Sequence, residues 1–150
     1  MEKAINEMTL KIKALSINEG FARASVTSFC VQAEPSLDEI TDIKTAVSEA
    51  VTNAVVHAYP KKEGWIEITA KLYENSVEIV ISDMGIGIKD IPKALEPFYT
   101  TKQGEERSGM GFTVMESFMD KMEVITNSYG GISVKLTKNF AAKKSLTVGA

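Results

Sequence analysis

The chain has 150 residues, a net charge of −3 at pH 7 and ordinary apolar and charged fractions, a size that suits one domain over residues 1–150 around one core. The acidic balance leaves no electrostatic footprint for direct nucleic-acid binding. No stretch reaches the length of a membrane span, and Met1 to Leu10 lacks the apolar run of a signal peptide.

Met8, Leu10, Ile12 and Ala14 alternate with Thr9, Lys11 and Lys13, the pattern of a half-buried strand. Ser16-Ile17-Asn18-Glu19 reads as a capping box opening a helix that runs to about Ala33, with Phe21, Val26, Phe29 and Cys30 inward. The lone Cys30 cannot form an internal disulfide and reads as core, which fits a reduced, cytoplasmic setting. Pro35 breaks that helix. Ser36-Leu37-Asp38-Glu39 is a second capping box, starting a long helix to about Ala58 that Pro60 stops.

Ile66, Ile68, Ala70 and Leu72 then alternate with polar residues, Glu74-Asn75 turns the chain, and Val77, Ile79 and Ile81 alternate in the next strand. Asp83 to Ser108 reads as mostly irregular, with one helical turn near Ile91–Leu95. So long a loop in a compact domain is either a functional lid, expected over Ile91–Ser108, or a misassigned element. Gly109 to Asp120 is helical, with Phe112, Met115 and Phe118 or Met119 on one face. Met122–Thr126 and Ile132–Leu136 pair as a hairpin across Tyr129-Gly130-Gly131, and the tail from about Ala141 reads as frayed. This order predicts an α+β, two-layer sandwich: a mixed, mostly antiparallel sheet with helices on one face.

Three segments carry chemistry. On the long helix, Ile40, Ile43, Val47, Ala50 and Ala54 form an apolar stripe, and Glu49, Asn53 and His57 form a polar line beside it at i, i+4, i+8. Asn53 offers a neutral oxygen suited to Mg²⁺, and Glu49 could take a proton from a hydroxyl attacking a γ-phosphate. Taken alone, this spacing also describes a solvated helix face. His57 reads as a wall of such a site rather than a catalyst.

Asp83 shares the parity of Val77, Ile79 and Ile81, so its strand points it toward the core, where a carboxylate is costly unless paired. A purine amino group is a suitable donor. Gly85 and Gly87 let a flat base approach the backbone, with Ile86 and Ile88 as walls. An Asp-x-Gly turn is the bland alternative. Ser108-Gly109-Met110-Gly111 sits at a helix start, where free N–H groups and the positive helix end favour phosphate. Arg107, Thr101 and Lys102 are further phosphate candidates. Arg23 lies on the polar side of the first helix, far in sequence from these motifs.

The combination Glu49…Asn53, Asp83-x-Gly85-x-Gly87 and Gly109-x-Gly111 resembles the Bergerat-type ATP-binding superfamily of gyrase, the heat-shock chaperone, histidine kinases and MutL. A closer likeness lies in Ser48–His57, Phe98–Lys102 and Glu106–Glu116, which resemble the anti-sigma F factors of spore-forming bacteria over about Asn6 to Lys144. Ala58 stands where glycine is usual in that family, and Met84 where an acidic residue is common. The resemblance implies ATP or ADP with Mg²⁺, a homodimer, silencing of sigma factor F, and phosphorylation of a serine on an anti-anti-sigma factor. It implies Glu49 as general base, with Arg107 assisting at the γ-phosphate, and Asn53 as magnesium ligand. Asp83, Gly85, Gly87 and Ile88 would hold adenine; Thr101, Lys102, Ser108, Gly109, Met110 and Gly111 would hold phosphates; Arg23 would contact partners. The competing readings are a general-stress anti-sigma kinase, a detached histidine-kinase ATPase domain, and a nucleotide-gated binding module without phosphoryl transfer.

Overall fold

A computed structural model of the chain describes residues 3–59, 63–96 and 111–141. Its sheet has the order β1-β2-β3-β5-β4, from β1 Asn6–Lys13, β2 Trp65–Leu72, β3 Ser76–Asp83, β4 Lys121–Thr126 and β5 Ile132–Asn139. Every neighbouring pair is antiparallel. The register places Leu10 opposite Ile68, Ile68 opposite Ile81, and Ile81 opposite Val134, so one face carries a continuous apolar row. The other face carries charged and polar residues such as Lys11, Glu67, Glu78 and Lys135, as period-two alternation requires.

The helices cover the apolar face. They are α1 Asn18–Cys30, α2 Leu37–Asn53, the single turn α3 Ile91–Ala94 and α4 Gly111–Phe118. α2 is the central one: Ile40, Ile43, Ala46, Val47, Ala50 and Val51 are buried along it, with α1 and α4 packed at its sides. Truncating a fully buried side chain such as Ile43 to alanine would cost about 2–5 kcal/mol. No helix among the described residues is long and apolar enough to cross a membrane.

The two capping boxes part ways. Ser36 is extended (φ −68°, ψ 163°), accepts the Glu39 N–H, and receives the Glu39 carboxylate on its own N–H. This cap is worth about 1 kcal/mol. Ser16 caps nothing: Ile17 takes the N-cap position with helical angles and no side-chain bond. A hydroxyl can reach the first turn only from an extended N-cap. Here the Ser16 carbonyl accepts the Glu19 N–H instead, and the Glu19 carboxylate turns to Arg23.

Phe21 also departs from expectation. The buried positions of α1 are Ala22, Val26, Phe29 and Cys30, and Phe21 stands one step outside that stripe at 54 % exposure. Met115 on α4 and Met119 just beyond it are buried, with Phe118 turned outward. α1 ends in a 3₁₀ turn, Val31–Ala33, closed by Glu34 in the left-handed region. The long helix continues past Asn53 as a π turn, Ala54–Ala58. Pro60, the tail beyond Ala141 and the segment 97–110 lie outside the described residues.

Candidate nucleotide site

Two charged side chains sit on the inner face of the sheet, at opposite ends. Lys138, near the far end of β5, is 9 % exposed and fully engaged: its Nζ donates to Asp42 Oδ2 and to the Phe118 carbonyl, both at 2.8 Å. Asp83, at the end of β3, is 7 % exposed and has no counter-charge among the described residues. Its Oδ1 accepts the N–H of Gly85 at 3.0 Å and of Ile132 at 3.2 Å. No hydrogen bond from a described residue reaches Oδ2. Burial holds this carboxyl above the ordinary carboxylate range, and the two N–H groups pull it back only in part.

The loop after Asp83 is bracketed by two elements. From one side, the π turn brings the Ala58 carbonyl, an orphan at a helix end, to the Ile86 N–H at 3.0 Å. Gly85 packs so closely on this turn that a Cβ there would stand 2.7 Å from the Ala58 Cβ and closer still to its carbonyl. From the other side comes the β4–β5 turn, where Asn127 Nδ2 donates to the Asp83 carbonyl at 2.8 Å. Gly87, with φ +76°, faces the Gly130 carbonyl across the same gap. Ile88 is half-buried against the core.

Glu49, Asn53 and His57 are all half-buried, Glu49 and Asn53 on α2 and His57 within the π turn. Asn53 meets the start of α4: a Cβ built on Gly111 would lie 2.7 Å from Asn53 Nδ2 and 2.9 Å from Oδ1. Gly85 and Gly111, one from each of the other two sequence segments, thus both lie near the C-terminal end of the long helix. Thr101, Lys102, Arg107, Ser108, Gly109 and Met110 lie outside the described residues. Arg23 does not join this group. Its Nη1 donates to Glu19 at 2.9 Å and to Ser48 Oγ at 3.2 Å, tying α1 to the residue before Glu49.

Two residues of this region escaped the sequence reading. Tyr59 is 8 % exposed, and its hydroxyl links the Met84 N–H to the Trp65 carbonyl. Asn127 heads Asn-Ser-Tyr-Gly, a spacing that signals a turn through its side-chain oxygen, and that oxygen does accept the Tyr129 and Gly131 N–H groups. The signal did not say where the amide nitrogen would go. Cys30 is where the sequence put it, fully buried, with its thiol pushed up to about 12 by burial and so kept neutral.

Among the described residues no group of three or more His, Cys, Asp or Glu could hold a metal ion. A cation here would need few protein ligands, which is the habit of Mg²⁺ when phosphates and waters supply the rest. The Asn53 amide against a residue without a side chain fits that arrangement.

Comparison with known proteins agrees with this fold. The family described as histidine kinase-like ATPase domain matches residues 14–138. An anti-sigma F factor of Oceanobacillus iheyensis is 49 % identical over 144 residues, covering 94 % of this chain and 97 % of the relative. That of Bacillus thuringiensis is 49 % identical over 142 residues, with 94 % and 97 % covered. Among solved structures, the RsbU and RsbW domains of a Mycobacterium tuberculosis protein superpose with a TM-score of 0.65 at 20 % identity, over 90 % of this chain and 32 % of that one. The catalytic domain of histidine kinase ThkA gives 0.58 at 15 % identity, over 90 % and 99 %. These two likenesses concern the fold alone. The chain belongs to the histidine-kinase-like ATPase domain family and, within it, to the anti-sigma F factors.

Proposed function

We propose that the chain is an ATP-dependent serine protein kinase of the cytoplasm that binds and silences sigma factor F and phosphorylates a serine of an anti-anti-sigma factor. One observation carries the nucleotide part: Asp83 is a buried carboxylate with one oxygen satisfied by backbone and, among the described residues, no cation beside it. Left so, it is a cost to the fold. The exocyclic amine of adenine is the neutral donor that would offset that cost, with Gly85, Gly87 and Ile88 around the ring.

Asn53 would hold Mg²⁺ at the start of α4, and Ser108 to Gly111 with Thr101, Lys102 and Arg107 would receive the phosphates. Magnesium, when bound, supplies charge neutralisation at the phosphate oxygens. Glu49, one turn before Asn53, would accept the proton of the substrate serine as its Oγ bonds to the γ-phosphorus. The bond from that phosphorus to the β-bridging oxygen breaks, and ADP leaves with the electron pair. Arg107 would steady the charge on the transferred group.

The partner assignments rest on the relatives, which are named anti-sigma F factors. Arg23 would meet those partners from α1, and the working unit would be a homodimer. Incubating the chain with Mg²⁺, γ-labelled ATP and an anti-anti-sigma protein tests the whole proposal. Phosphoserine on that protein is the expected result. Phosphohistidine would favour a histidine-kinase domain, and nucleotide binding without transfer would leave a gated binding module.

A further inference from the structure

A single peptide group in the site is gripped from both sides. The peptide following Asp83 presents its carbonyl to Asn127 Nδ2 at 2.8 Å, and its N–H, that of Met84, to the Tyr59 hydroxyl at 2.7 Å. Neither gripping group has slack. The Tyr59 hydroxyl passes its own proton to the Trp65 carbonyl at 2.6 Å. Asn127 Oδ1 accepts the Tyr129 and Gly131 N–H groups, at 3.0 and 3.1 Å, and Nδ2 also reaches Ser133 Oγ at 3.3 Å. Tyr59 comes from the end of the long helix and Asn127 from the β4–β5 turn, so two separate elements fix one bond.

The consequence falls on Asp83. A carboxylate turns freely about its last torsion unless something holds it. Here Oδ1 is held by the N–H groups of Gly85 and Ile132. Gly85 N–H lies just beyond the gripped peptide, so rotation of that peptide would carry this donor away. Oδ1 would then be freed, and the carboxylate could turn or admit water.

We propose that Tyr59 and Asn127 are positioning residues that set nucleobase selectivity, by locking the peptide after Asp83 so that its Oδ2 faces the base in one direction only. The proposal rests on the reading of Asp83 as the adenine contact. A fixed acceptor welcomes the amine at position 6 of adenine and repels the carbonyl oxygen that guanine carries there. A carboxylate free to turn repels it less, because rejection depends on a polar group that cannot find another partner.

The test is equilibrium titration of the full chain with Mg-ATP and with Mg-GTP, read as the ratio of the two dissociation constants. Tyr59→Phe keeps the ring and loses only the hydroxyl; Asn127→Ala loses the other grip. Each is expected to lower the preference for ATP by about fivefold, the scale of one lost hydrogen bond between neutral groups. In an Asp83→Asn background the same changes should shift the ratio by less than about twofold, because coupled residues are not additive. A purely structural role would weaken both nucleotides alike and leave the ratio unchanged. Hydrogen exchange gives a check independent of ligand: the Met84 amide should exchange faster in Tyr59→Phe while the β3 amides of Val77 to Ile81 stay protected. An unchanged ratio in both variants, with Asp83→Ala losing selectivity, overturns the positioning role alone. If Asp83→Ala keeps full selectivity, the adenine reading falls and this proposal with it.

Discussion

The side-chain amide of Asn53 lies against Gly111, the first residue of α4, so close that a β-carbon on that glycine would sit 2.7 Å from Nδ2. The contact joins the end of α2 to the last glycine of the Gly109-x-Gly111 motif. It also yields a clean prediction. Gly111→Ala must push the Asn53 amide aside, a movement the end of a side chain can make at small cost to the fold. Thermal unfolding should therefore shift little, while affinity for Mg-ATP falls by about tenfold or more, the equivalent of ~1.4 kcal/mol. Titration of the folded variant checks it, and undiminished Mg-ATP affinity would remove Asn53 from the metal site.

Glu49→Gln should bind ATP as the unaltered chain does and lose most phosphoryl transfer. The amide keeps the shape of the side chain and cannot accept the substrate proton. Loss of a general base costs on the order of 10²–10⁴ in rate. Single-turnover transfer in the presence of the anti-anti-sigma partner measures it, and transfer at the original rate would exclude Glu49 as base.

Asp83 gives a pH signature. Its carboxyl is held above the ordinary value of 3.8, first by burial, against the opposing Gly85 and Ile132 N–H groups. The sign follows from proton uptake: as pH falls, the folded chain protonates Asp83 before the unfolded chain does. The group therefore destabilises the fold most at neutral pH, and that penalty is relieved as pH drops through the raised pKa. Adenine binding runs the opposite way, because the protonated acid accepts poorly. Affinity for ATP should fall from neutral to mildly acid pH, and Asp83→Asn should flatten that part of the profile. Asp83→Ala, which leaves the base without its acceptor, should cost about 1–3 kcal/mol of binding. Calorimetric titration across that range decides the matter, and parallel profiles in Asp83→Asn and the unaltered chain would assign the titration to another group.

Arg23→Glu should separate partner binding from nucleotide binding. The bond from Arg23 to Glu19 is a half-exposed i,i+4 pair, whose loss costs the fold little, within about 1 kcal/mol. A reversed charge on a docking surface removes a pairing and adds repulsion. Mg-ATP affinity is expected to hold, and capture of sigma factor F, of the anti-anti-sigma factor, or of both is expected to fail. The outcome that reverses the assignment is impaired nucleotide binding with partners retained, for which the Ser48 contact beside Glu49 would supply the route.

Local pattern was enough to specify the strands, the long helix and the inward position of Asp83. Period-two alternation placed Ile66 to Leu72 and Val77 to Ile81 on one face, and parity sent Asp83 inward with them. The Ser36–Glu39 box and the stripe from Ile40 to Ala54 were equally legible, because each rests on contacts within a few residues. Local signals failed where a competing partner lay elsewhere or where phase decided. Glu19 was drawn from its cap to Arg23, and Phe21 fell one step off a stripe that Ala22 completes. What meets Asp83 is a matter of long-range packing. The N–H of Ile132, the amide of Asn127 and the hydroxyl of Tyr59 arrive from elements far apart in the chain. Hydrogen bonds of that kind leave no period in a sequence, since each depends on the sheet order that sets β5 beside β3 and on the π turn that carries Tyr59 onto the loop.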